Sequence, residues 1–167
     1  IVTNPSLEFG TAGYEAIGGG ASLGSTSSQQ AYGAWSLKVN HTAISGGGYY
    51  FNPGTPAAGS YALTVCIKGT AGHRYRILAT EVTAGASLGD GSITASGRWE
   101  TLSFPFGMPS GTGLRVEYRH LDTATGTFYL DGLQIESGAS PTTYIDGDQP
   151  GGTWTGAQHA SASTRTS

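Results

Sequence analysis

The feature that most constrains this chain is a strict two-residue alternation in short runs, each closed by glycine or proline. Leu114–His120 (LRVEYRH) sets Leu114, Val116 and Tyr118 against Arg115, Glu117 and Arg119. Tyr61–Lys68 does the same, with Tyr61, Leu63, Val65 and Ile67 on one side and Cys66 on the other. Further runs are Ala34–Asn40, Tyr49–Phe51, Tyr75–Val82, Trp99–Phe106 and Phe128–Glu136, with a short edge strand over Ser92–Ala95. Side chains alternate faces along a strand, so such a run has one side for a core and one for water. No window of helical length carries a 3.6-residue apolar stripe. The expected fold is all-β, a jelly-roll-like antiparallel β-sandwich of about eight or nine strands. Gly18–Gln30 reads as a flexible loop, and no internal repeat is visible.

Composition agrees. Of 167 residues 28 are glycine, and only 11% are charged, against about 25% in ordinary domains. The formal charge is −3 with no basic run, which argues against a nucleic-acid partner. No apolar stretch approaches the roughly 18 residues that cross a bilayer as a helix, so membrane insertion is not expected. The chain does not begin with Met, which suggests a processed or excised piece. Cys66 is the one cysteine, and its place in an alternating strand reads as an unreactive thiol. Without a disulfide, stability must come from packing or a bound ion.

Catalytic signatures are missing. The eleven acids show no pair set for the ~5–9.5 Å spacing of a glycosidase. Asp146 and Asp148 sit in a turn-forming stretch, IDGDQPG. No G-x-S-x-G elbow occurs. Histidines 41, 73, 120 and 159 lie far apart in sequence, with no zinc-ligand spacing. The chain is read as a non-enzyme. On the polar sides of their strands, Arg76, Glu117 and Arg119 are candidates to hydrogen-bond sugar hydroxyls, with Tyr50 and Trp99 as stacking platforms. The Arg115/Glu117/Arg119 row also fits a solvated face with ion pairs.

Four segments in order, Asn4–Gly10 (NPSLEFG), Gly33–Val39 (GAWSLKV), Gly59–Tyr61 and Tyr129–Leu133 (YLDGL), resemble the carbohydrate-binding jelly rolls of the CBM4/9/22-like group over residues 3–137. That resemblance implies a structural calcium held by Glu8 and Asp131, with backbone carbonyls near Ser6 and Lys38. It also implies a secreted glycan-binding module attached to a polysaccharide hydrolase. The Gly/Ser/Thr-rich segment 138–167 resembles instead the endings of carbohydrate-module-like domains in bacteriophage minor tail and other virion proteins. Its isolated Tyr144 and Trp154 are expected to be buried, either on the sandwich or on a neighbouring subunit. The leading expectation is therefore a non-catalytic virion surface domain, tail-associated or a capsid decoration. Its expected partners are other virion subunits or copies of itself, and cell-surface glycans. The two expected units are a sandwich over 1–137 and a tail over 138–167.

Overall fold

The computed structural model describes Leu7, residues 10–158 and the backbone of 163–165. Ten strands build the sandwich. They are β1 (Tyr14–Ile17), β2 (Ala21–Thr26), β3 (Ser36–His41), β4 (Gly48–Gly54), β5 (Gly59–Gly69), β6 (Arg74–Glu81), β7 (Ser87–Thr94), β8 (Glu100–Met108), β9 (Leu114–His120) and β10 (Gly126–Ser137). They form two five-stranded sheets, ordered β1-β4-β9-β6-β7 and β2-β3-β10-β5-β8, with every neighbouring pair antiparallel. A small ribbon, β11 (Gly152–Trp154) with β12 (Ser163–Arg165), follows. No helix occurs among the described residues.

The alternation decides what lies between the sheets. Leu63, Val65 and Ile67 of β5 and Phe128, Leu130, Leu133 and Ile135 of β10 face Tyr75, Ile77 and Ala79 of β6 and Leu114, Val116 and Tyr118 of β9; all are buried. The spacing in β10 is irregular, because Leu130 and Leu133 are three apart yet both point inward. A register shift between Asp131 and Gln134, with Gly132 at φ 56°, supplies the extra residue. That is a β-bulge, and it keeps both leucines in the core.

Asp131 sits on the outer side of the bulge, fully buried. Its carboxylate accepts the backbone N–H groups of Ala31 (2.7 Å), Tyr32 (2.9 Å) and Gly132 (2.7 Å). The loop before β3 is thereby held over the second sheet. The segment after β10 covers the same place. The Tyr144 ring lies 4.2 Å from that of Tyr32, its hydroxyl donates to Asp146, and Ile145 N–H donates to the Gln134 side chain. Burial pushes the Tyr144 phenol far up. Trp154 is half-buried, lying over Gly147, where a Cβ would come 2.1 Å from its ring. Tyr144 thus meets its expected burial on its own chain, while Trp154 is only partly covered. Tyr144→Ala is expected to cost about 2–4 kcal/mol, read as a lower urea midpoint at unchanged slope, with 138–150 becoming protease-sensitive. An unchanged midpoint would contradict this anchoring.

Three expectations need correction. Ala21–Thr26 is not a flexible loop: it pairs with β3 along its whole length as an edge strand. The edge strand expected over Ser92–Ala95 runs over Ser87–Thr94, and Trp99 lies in the loop before β8 rather than in a strand.

Candidate functional site

The register of the first sheet lines up two rows of outward side chains. One runs Glu15, Tyr50, Glu117, Leu78, Asp90 across β1, β4, β9, β6 and β7. The next holds Gly48, Arg119, Arg76 and Ser92. Arg115 and Thr80 face each other beyond the first row. Tyr50, Arg76, Glu117 and Arg119, chosen from the sequence as sugar-contacting candidates, therefore share one face. Trp99 does not belong to it.

This face is sheltered. Outward residues of a flat sheet meet water, yet Glu117 is 5% exposed, Thr80 6% and Leu78 8%. Glu117 tolerates burial because Arg119 covers it, donating from Nε at 2.8 Å and Nη2 at 2.7 Å. Arg119 also reaches the Gly46 carbonyl at 3.1 Å, tying a loop to the rim. Arg76 pairs with Asp90 at 2.9 Å. The Tyr50 hydroxyl donates to Glu15, which raises the phenol, and the Arg115 guanidinium lies 4.1 Å above the Tyr50 ring centre. The face combines an aromatic ring, one apolar side chain (Leu78) and hydrogen-bonding groups held in fixed positions, a set suited to hydroxylated rings.

At one end of the sandwich the fold does what sequence spacing concealed. His41 of β3 and His120 of β9 stack at 4.1 Å with 18° between planes, and His73 lies 5.8 Å from His41. Burial, then the neighbouring His120, pushes His41 below the usual histidine range. Both ring nitrogens of His120 are buried without a hydrogen-bond partner. Stacked rings aim their lone pairs in parallel planes, so they do not converge on one ion. A cavity of about 430 Å³, lined by residues 20–22, 40–42 and 125–127, opens beside His41. Sequence reasoning saw the histidines as unrelated because they come from separate strands and loops with no shared period.

Ser6 and Glu8, two of the expected calcium ligands, lie outside the described residues, so the expected Glu8–Asp131 approach does too. Lys38 pairs with Gly24 and Tyr129 within the sheet, and both Asp131 oxygens already accept N–H groups. Among the described residues no group of three or more His, Cys, Asp or Glu could hold a metal. Cys66 is buried, and burial raises its thiol.

Comparison with solved structures defines the class of fold. The chain matches the CBM22-1 xylan-binding domain of Paenibacillus barcinonensis Xyn10C (TM-score 0.63, 18% identity, 81% of this chain and 93% of that one). It also matches TmCBM61 bound to β-1,4-galactotriose (TM-score 0.65, 12% identity, 81% and 96%). The CBM22-1–GH10 modules of Clostridium thermocellum Xyn10B, bound to xylohexaose, match with TM-score 0.67 and 14% identity, over 87% of this chain and 30% of that one. No protein-family model and no curated protein matches the sequence. The fold is the jelly-roll β-sandwich of carbohydrate-binding modules.

Proposed function

We propose that this chain is a non-catalytic carbohydrate-binding module, working outside the cell, whose glycan lies along the outer face of the first sheet. The observation that carries the reading is the sheltered row of Tyr50, Glu117 and Leu78, bordered by arginines, on a sandwich of the kind that binds xylan and β-1,4-galactotriose in its structural neighbours. Tyr50 with Arg115 supplies a flat surface for a sugar ring, and Arg119, Arg76 and Glu117 supply donors and acceptors for its hydroxyls. Such an open face binds weakly on its own and gains strength from repetition along a polymer. The virion expectation came from the resemblance of 138–167 to the endings of virion proteins, whereas the solved structures that match are carbohydrate-binding modules, so the glycan-binding part of that reading is the part retained.

The test is retention on a polysaccharide panel in affinity electrophoresis, followed by calorimetry with oligosaccharides. Tyr50→Ala and Arg119→Ala are each expected to weaken binding about tenfold or more, equal to about 1.4 kcal/mol, while Trp99→Ala, off the face, binds as the parent does. Parent-like binding by both face variants, or no retention by any polysaccharide, would overturn the reading.

A further inference from the structure

We infer that the ligand of this face is an acidic glycan, with Arg115 receiving the carboxylate of a uronic acid residue; the inference rests on the glycan-binding reading of the same face. Two carboxylates on this face are paired with arginines, and two charged groups, Glu15 and Arg115, make no ion pair among the described residues. Glu117 is held by Arg119 and Asp90 by Arg76, and Glu15 accepts from the Tyr50 hydroxyl. Arg115 makes no ion pair or hydrogen bond among the described residues, and its Nε is buried without a partner. Across the strand pair, the hydroxyl of Thr80, a residue only 6% exposed, also lacks a partner. Nε and the Thr80 hydroxyl are closed to solvent, so what stands open to a ligand is the terminal Nη end of the half-buried Arg115.

The chemistry of that ligand follows from the geometry. A guanidinium carries its donors in a planar fork that matches the two oxygens of a carboxylate. Arg115 already rests over the Tyr50 ring, its guanidinium carbon 4.1 Å from the ring centre, so little side-chain freedom is lost when an anion docks. A carboxylate can meet the terminal Nη pair of Arg115 end-on, whereas Nε and the Thr80 hydroxyl are closed to solvent. A neutral sugar could accept from the Nη groups but would leave the cation without a counter-charge. Glu15, on the far side of Tyr50, limits the positive field, so its removal should strengthen the anion's hold.

The experiment compares glucuronoxylan, polygalacturonate and alginate, each with its own carboxyl-reduced form, so that the backbone stays the same and only the acid changes. The parent is expected to bind at least one acidic form about tenfold or more tightly than its reduced form, with the preference shrinking at high salt. Arg115→Gln should bring the acidic and reduced forms to the same affinity, and Glu15→Gln should increase the preference of the parent. Arg115→Lys keeps the charge without the fork and should retain only part; it also serves if Arg115→Gln melts early. Equal binding of acidic and reduced forms overturns the inference while leaving the glycan-binding reading intact. A sulfated galactan binding as tightly as the uronates overturns the carboxylate assignment, and no binding to any polymer overturns both readings.

Discussion

Gly48→Ala is expected to destabilise the fold by about 3 kcal/mol or more, a fall in melting temperature of about 6–12 °C for a chain of this length. The cause is backbone against backbone. A Cβ at position 48 would lie 1.8 Å from the Tyr118 carbonyl oxygen and 3.0 Å from Arg119 Cα. Neither atom can rotate away as a side chain could, and β9 is held from its other edge by β6. Relief requires β4 to separate from β9, which would also move Tyr50 away from Glu117 and so weaken glycan binding. Gly107→Ala in β8 is the control, since a Cβ there meets nothing within 4 Å and should change stability by no more than about 0.5 kcal/mol. A Gly48→Ala protein as stable as that control would show that the two strands are not held at this spacing.

Acid should destabilise the molecule in two steps, the first belonging to the histidine cluster. His41 is pushed down in the folded protein, mainly by burial and then by His120, whereas in the unfolded chain it titrates near 6.5. Below that pH the unfolded state takes up a proton that the folded state refuses. Stability is therefore complete above about 6.5 and declines as pH falls towards the lower folded value. The groups facing His41 are the rings of His120 and His73 and the hydroxyl of Tyr75. The carboxylate of Asp122 is engaged by Arg74. The second step belongs to Glu81, which accepts the Thr112 hydroxyl and the N–H groups of Ala84 and Thr83. Led by the Thr112 bond, these hold it at about 2 against an ordinary 4.5, so its contribution is lost as pH falls between those values. His41→Phe should remove the upper step, and Glu81→Gln the lower one. A parent whose melting temperature is flat from pH 8 to 5, or a His41→Phe protein with the same slope there, would refute the first assignment.

Most of the sandwich was legible because its strands carry large side chains in strict alternation, as in β5, β6 and β9. The face was legible for the same reason. Once Tyr50, Arg76, Glu117 and Arg119 stand on the polar sides of neighbouring strands, only the register remains to be supplied. β2 (ASLGST) was not legible, because an edge strand with one large apolar residue looks like a loop. β7 was concealed by its glycines, which the packing demands: a Cβ at Gly89 would meet the Pro105 carbonyl at 2.7 Å, and one at Gly91 would crowd Leu102 and Phe104 at 3.1 Å. Trp99 was drawn into the site by its chemistry alone. Arg115 was set aside in a row that reads as solvated, since only the folded sheet shows its row neighbours Glu117 and Arg119 paired and Arg115 left out. The histidine trio could not be read at all, because strand order rather than sequence distance makes those residues neighbours.

The position of β10 has a consequence for how the molecule is made. This strand, the last of the sandwich in chain order, lies between β3 and β5 in the middle of its sheet, and its partners precede it by roughly 60 to 90 residues. Until it arrives, β3 and β5 each expose an unpaired edge and half a core. Pairings across such long stretches of chain make folding slow, and a nascent chain emerging from the ribosome must wait for β10 before the second sheet can close and cover the first.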